Sequence, residues 1–479
     1  MHRSTLRACA SAALALCAAA SASAASTPIE ILFVGDSYTF GRVDPVMSYN
    51  AANVHDLTAG FDAVDSSGTN AFEPHPWGGV PGIFKEFTTE SGLNYDVSIS
   101  ARNAASLRGQ FLDSASSAWK LRENVASKTW NVVVLQDQSD VSLPNGKGKN
   151  ADNAQFQAYV NQFVNFIHTG TAQTYTETQL YGSLANCEAA GDSKTSCGIK
   201  RVIPANTNAS ANTKVYLTET WARPDMVFAH QNTVPDPNSP SGEPIVDTSS
   251  TGGPATLYYT SLGAMTFDLH AAFAAEAAAN PGIAGVIPVG DAFQLAVNQG
   301  SVQSSGFYDA NGVFIPPTPG EPLDLWWDDD LHASKYGSYL DALVQYGTIT
   351  GLDPLLLGAN ESAAQSLGIA STDAVFLERL AAEDLGMSLA PVPEPGNLAL
   401  IGGGLALLAA LARRRSGGAK PRTESAGTGT SRDRPRSVDD GADGSMAGTE
   451  PATSRYALHF TDSLDPVERR TLSRHAAPS

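Results

Sequence analysis

Five short apolar runs, at residues 29–34, 95–100, 130–135, 215–218 and 286–289, constrain this 479-residue chain more than any other feature in it. Four of them are mostly apolar and 95–100 alternates with Asp96, Ser98 and Ser100; short apolar runs of this kind suit strands buried in a parallel sheet. Between them lie stretches with apolar residues at helical spacing. Residues 80–91 put Ile83, Phe84 and Phe87 on one face, and residues 153–166 do the same with Phe156, Tyr159, Val160 and Phe163. An Ala-rich stretch at 257–279 and a further one at 333–346 continue the series. Strands alternating with helices specify a doubly wound α/β sheet, whose reactive groups gather at the carboxyl ends of the strands. The expectation is a three-layer α/β/α domain over residues 25–355 with a mostly parallel five-stranded sheet, followed by a helical extension at 356–390. Three polar insertions, at 44–76, 185–212 and 225–254, interrupt the pattern, and loops of that length read as binding loops or surface excursions.

The first apolar run passes straight into Gly35-Asp36-Ser37-Tyr38-Thr39-Phe40-Gly41. A serine lifted off the end of a strand, with a helix starting behind it, is placed as a nucleophile needs to be, and the helix N-terminus favours developing negative charge. A strand-to-helix turn with serine as its cap reads equally well from these residues alone. Near the end of the domain stands Asp328-Asp329-Asp330-Leu331-His332-Ala333-Ser334. Asp329 three residues before His332 lets one loop present a carboxylate to one imidazole nitrogen while the other faces a distant serine. A solvated acidic loop and a calcium site are the competing readings, although the run lacks the alternating oxygen ligands and the glycine of an EF-hand loop.

Gly35-Asp36-Ser37 at the first strand and Asp329-x-x-His332 near the end resemble the first and last blocks of the SGNH/GDSL hydrolases, over roughly residues 29–350. The resemblance implies a flavodoxin-like α/β/α fold and ester hydrolysis without metal or cofactor. It makes Ser37 the nucleophile, His332 the general base and Asp329 its orienter. The middle blocks differ. Ala105, within Asn103-Ala104-Ala105-Ser106, stands where the family has an oxyanion-hole glycine, and Gln138, within Gln136-Asp137-Gln138-Ser139, stands where it has an asparagine. The oxyanion donors are then the N–H groups of Ser37 and Ala105 with the Gln138 amide, which also donates but from one methylene further out. These two substitutions motivate a rival reading, a non-catalytic surface or matrix protein that keeps the fold. Trp77 reads as a turn residue entering a helix, with substrate lining as its second reading. Trp221 and Arg223 follow the fourth strand and are candidates to line the site. His55, His75, His168, His230 and His270 read as surface or core histidines.

Both ends carry targeting patterns. His2, Arg3 and Arg7 precede an apolar stretch at 8–20 and the small-residue pattern Ala22-Ser23-Ala24, as in a signal peptide over 1–24. Pro393-Glu394-Pro395, an apolar run at 398–412 and Arg413-Arg414-Arg415 follow one another near the other end. Physically this is a stiff stop, a short membrane-length helix and a basic anchor. The arrangement at 391–415 resembles the PEP-CTERM sorting signal of Gram-negative bacteria, which implies an exosortase-type protease as partner, transient membrane anchoring and then release to the surface or outside. A plain membrane anchor is the alternative. Residues 416–479, rich in Gly, Ser, Thr, Arg and Asp, are expected to be disordered.

An exported chain also suits its cysteines. Cys9 and Cys17 fall in the signal peptide, which leaves Cys187 and Cys197 either to close a small loop or to stay as two free thiols. Between residues 25 and 412 there are 16 basic and 40 acidic residues, a net of −24. Such a surface repels phosphate backbones and excludes nucleic acid as a partner. An ester substrate, with acylated extracellular polysaccharide as the class that suits an exported protein, is the expectation.

Overall fold

The computed structural model describes residues 27–61, 73–113, 117–318 and 322–387. The signal peptide expected at 1–24, the segment at 391–415 and the tail at 416–479 lie outside the described residues. No helix among the described residues is long and apolar enough to cross a membrane.

In chain order the strands are β1 (Ile29–Gly35), β2 (His55–Asp56), β3 (Tyr95–Ala101), β4 (Val132–Leu135), β5 (Gln173–Thr176), β6 (Lys200–Ile203), β7 (Lys214–Thr218), β8 (Thr233–Pro235), β9 (Pro244–Val246) and β10 (Ile283–Ile287). β1 explains the architecture. Its alternate residues serve two separate cores, Ile31 and Phe33 one, Leu32 and Val34 the other. β4 divides in the same way, with Val132 and Val134 on one side and Val133 and Leu135 on the other. A sheet used on both faces needs helices on both, hence three layers. Helices Gly79–Glu90, Val289–Asn298 and Lys335–Thr350 lie over the first face, and helix Ser371–Asp384 packs against the last two of them. Helices Leu107–Leu112 and Asn153–His168 cover the second.

The main sheet runs β10-β7-β4-β1-β3-β2, and all five pairings are parallel. Phe33 of β1 is level with Ile99 of β3 on one side and Val134 of β4 on the other. Apart from the two-residue β2, the order is the doubly wound one in which the chain starts at a central strand, steps one way, then returns and continues the other way. The change of direction opens a crevice at the carboxyl ends of the strands beside β1, where such folds bind their ligands.

The sheet thus has six strands rather than the expected five. The extra one, β2, comes from the 44–76 insertion and consists of His55 and Asp56 against Ser98 and Ile99. A pair that short and polar carries no apolar signature. β10 occupies 283–287 rather than 286–289, because Pro288 cannot donate to a ladder and instead caps the helix that begins at Val289. The helix expected from 257 begins at Leu262, where Ser261 caps it by accepting from the Ala264 N–H. The other insertions are ordered as well. β5 pairs antiparallel with β6, and β8 with β9. Cys187 and Cys197 form a disulfide between helices Leu184–Ala189 and Lys194–Gly198. Within 356–387, Leu377, Leu380 and Ala381 are buried in the same core as helix Lys335–Thr350.

Candidate active site

β1 ends at Gly35, and the chain must turn at once to start the short helix Ser37–Phe40. A Cβ at position 35 would stand 2.0 Å from Thr39 Oγ1 and 2.4 Å from Gln136 Oε1, so only glycine fits. Asp36 caps the helix, its carboxylate accepting from the Tyr38 N–H at 3.0 Å. Gln136, just past the end of β4, fastens this turn from the neighbouring strand. Its Oε1 accepts from the Asp36 N–H and from Thr39 Oγ1, each at 2.8 Å. Burial raises the Asp36 carboxyl to about 6 against these stabilising bonds.

Ser37 is 4% exposed and His332 8%. Their side chains meet although 295 residues separate them, with His332 Nε2 2.8 Å from Ser37 Oγ. The other ring nitrogen, Nδ1, is 2.6 Å from Asp329 Oδ2. Asp329 Oδ1 accepts from the backbone N–H groups of Leu331 at 3.1 Å and His332 at 2.9 Å. Burial acts to raise the Asp329 carboxyl, but the charge and hydrogen bond of His332, with those two N–H groups, outweigh it and hold the group below its ordinary value. The carboxylate therefore stays ionised and fixes Nδ1 as the protonated nitrogen, leaving Nε2 to accept from a serine hydroxyl.

The loop carrying His332 is tied down at its carbonyls. Leu331 O accepts from Tyr38 Oη at 2.7 Å and from Trp221 Nε1 at 3.1 Å. Tyr38 and Trp221 stack at 4.0 Å, and Trp221 stacks in turn on Phe293 at 4.9 Å. The residue next to the serine thus holds the loop of the histidine. The Trp327 N–H donates to His332 O at 2.8 Å and the Asp330 N–H to Trp327 O at 2.7 Å, closing a turn in which Asp330 takes a positive φ of 54°.

The expected oxyanion residues stand at the carboxyl ends of the strands on either side of β1. Ala105 is buried beyond β3, and its N–H donates to Arg102 O at 3.2 Å. Gln138 is half-buried beyond β4, and its N–H donates to Asp137 Oδ1 at 2.8 Å. Among the described residues no hydrogen bond joins either of them to Ser37. Asp137 links the two loops, since the same Oδ1 accepts from the Leu107 N–H at 2.8 Å; burial pushes its carboxyl up to about 7. Arg223 lies in this layer too, with Nη1 donating to Ser139 Oγ at 2.9 Å and Nε to Asp225 Oδ1 at 2.9 Å.

Trp77 belongs to the core rather than to a substrate surface. It is 1% exposed, stacked on Phe40 at 3.9 Å and on His75 at 3.7 Å, and its Nε1 donates to Glu73 O. Nearby, Arg42 and Glu73 make a buried ion pair at 3.2 Å. Burial raises Glu73 to about 7, while the charges of Arg42 and His332 oppose the shift. Gln136 and Asp137 are the site residues that sequence reasoning missed. The signal was available: consecutive polar residues directly after a fully apolar strand that neighbours the Ser37 strand.

No family model matches the chain, and no curated protein matches its sequence. Two solved structures are similar at a distance. One is a protein of Slackia heliotrinireducens described as a candidate SGNH hydrolase, at 15% identity and a TM-score of 0.30, covering 67% of this chain and 100% of that one. The other is a DUF4886 family protein of Bacteroides uniformis, at 12% identity and a TM-score of 0.35, covering 75% of this chain and 96% of that one. Likeness at this level leaves the fold to the strand order above and the chemistry to the geometry around Ser37.

Proposed function

We propose that the chain is a serine esterase of the SGNH type. His332 takes the Ser37 proton on Nε2, Ser37 Oγ attacks an ester carbonyl, and the imidazolium then returns the proton to the leaving alcohol. Water, deprotonated by the same histidine, releases the acid and restores the serine. Asp329 stays ionised and stabilises the imidazolium. The N–H groups of Ser37 and Ala105 and the Gln138 amide are the donors for the oxyanion. The observation that carries this reading is the hydrogen-bonded line from Asp329 through His332 to Ser37, with Ser37 at the carboxyl end of a central strand. Buried acids beside the site, Asp36, Glu73 and Asp137, outnumber the nearby Arg42 and Arg223, which favours an uncharged ester; acylated carbohydrate is the class we assign.

The targeting patterns belong to the same reading: export through residues 1–24, transient anchoring through 398–412, and processing by an exosortase-type protease before release. The mature C-terminus, found by intact mass, tests this. The enzymatic claim is tested by p-nitrophenyl acetate hydrolysis. Turnover by the wild-type protein that falls to background in Ser37→Ala is expected; equal turnover in the two, or none in either, would reject the nucleophile. The second reading, a non-catalytic protein with this fold, draws on the Ala105 N–H being engaged with Arg102 O, and absence of turnover in folded wild-type protein would favour it.

A further inference from the structure

The carboxyl end of β7 carries a second polar cluster that the proposed chemistry does not use. Glu219 directly follows β7 and is 1% exposed. His270 projects from helix Leu262–Ala279, and Asp291 from the first turn of helix Val289–Asn298. His270 Nδ1 lies 2.7 Å from Asp291 Oδ2 and 3.6 Å from Glu219 Oε2. One ligand atom from each of the three falls within 4.8 Å of the others. A tetrahedral zinc ion held at about 2.1 Å has ligand-to-ligand edges of roughly 3.4 Å, so the two short separations bracket what one ion requires.

A second observation points to a missing positive partner. Glu219 Oε1 is buried and has no hydrogen-bond partner, and Asp384 Oδ2 beside the cluster is in the same state. Asp291 and Asp384 both lie close enough to Glu219 for their charges to act on it. Three carboxylates therefore crowd one spot, and among the described residues no lysine or arginine pairs with any of them; the His270 imidazole is the nitrogen ligand at hand. A buried acid in that position is stabilised either by keeping its proton or by a cation. His270 is 55% exposed, so the cluster opens to solvent on one side and water has room to complete a coordination shell.

We propose that Glu219, His270 and Asp291 bind a divalent transition-metal ion, with zinc as the best fit and water in the fourth position. One imidazole nitrogen with two carboxylates suits zinc, whereas calcium takes six to eight oxygens. The ion ties the end of β7 to two helices. Glu219 stands two residues before Trp221, whose indole holds the His332 loop, so the metal braces the segment that positions the base.

The test is calorimetric titration of the full-length, chelator-treated protein with zinc chloride, alongside Glu219→Gln and His270→Ala. Wild type is expected to show a saturable site and a rise in melting temperature with zinc. Each variant should lose that site, with affinity lower by about a hundredfold or more, while melting near the wild-type temperature without metal. Asp291→Asn, on the exposed side, carries the same comparison if either of the others fails to fold. Zinc binding of equal strength in wild type and variants, or none in wild type, would overturn the proposal. So would a Glu219→Gln protein that is more stable without metal and binds zinc unchanged, since Glu219 would then be a protonated hydrogen-bonding residue.

Discussion

Two carboxylates, the partly buried Asp329 and the fully buried Glu177, each draw distant parts of the chain together, and they do so in opposite ways. Glu177 is 0% exposed and saturated with donors. Arg108 Nε reaches Oε1 at 2.6 Å and Arg108 Nη2 reaches Oε2 at 2.9 Å. Tyr159 Oη donates to Oε1 and Arg201 Nη2 to Oε2 at 2.7 Å. Burial opposes ionisation, but the bonds and charges of Arg108, with Tyr159 and Arg201, prevail and hold Glu177 down to about 2. Such a group locks helix Asn153–His168, the β5/β6 hairpin and helix Leu107–Leu112 together and has no capacity left for chemistry. Asp329 instead faces one titratable ring, and that ring faces one hydroxyl. Its bonds orient a proton path rather than close a network. The contrast separates a buried acid that stabilises from one that serves a reaction, and it rests on partner type rather than on burial.

The sharpest way to break this contrast is Asp329→Asn. The amide oxygen still accepts from the Leu331 and His332 N–H groups, so the melting temperature should barely move. The histidine loses the partner that sets its tautomer, and kcat for p-nitrophenyl acetate should fall about 10⁴-fold. A loss of stability with kcat retained would make Asp329 the structural group. Glu177→Gln should behave in reverse, costing roughly 3 kcal/mol in denaturant unfolding because Arg201 loses its countercharge and Arg108 keeps only Asp192, with kcat of the folded protein unchanged.

Acid probes the Glu177 member of the pair. Glu177 has a depressed folded-state pKa, so its contribution is fully present above the unfolded value and is lost as pH falls through the folded one. Stability should therefore drop by roughly 3 kcal/mol between about pH 4.5 and pH 2. That part of the drop should be absent in Glu177→Gln, while the part from Asp329 and Asp56, also held below their ordinary values, should remain. Gln138→Ala is expected to have the smaller of the two kinetic effects, a decrease in kcat of about 10²–10³-fold with KM little changed, if its amide meets the oxyanion. An unchanged kcat would leave the oxyanion to backbone N–H groups alone.

The two regions also differ in how far they are legible in the sequence. Ser37 and His332 can be read because each sits within a few residues of its local support: Gly35 and Asp36 for the serine, Asp329 three positions before the histidine. Five strands can be read because each carries a short apolar run, nearly unbroken in β1 and β4 and alternating with Asp96, Ser98 and Ser100 in β3. What lies between is set by long-range partners that no local pattern encodes. Gln136 fastens the Ser37 turn from another strand, and Tyr38 and Trp221 converge on Leu331 O from positions 293 and 110 residues away. Glu177 meets Arg108 and Arg201 from different elements, and nothing near residue 177 announces it. β2 escapes for a related reason, because two polar residues become a strand only when β3 is there to pair with them. Trp77 is legible in its first reading, a turn residue entering helix Gly79–Glu90, while its second reading as a lining residue falls once Phe40 and His75 are seen to stack on it.

Covalent labelling of the folded protein with a fluorophosphonate probe tests the central claim most directly, because the probe reacts with a serine only when a base removes its proton. The account predicts a single adduct on the peptide containing Ser37, lost in Ser37→Ala and strongly slowed in His332→Ala. Folded protein that gives no adduct, or an adduct at another serine with Ser37 untouched, would contradict it.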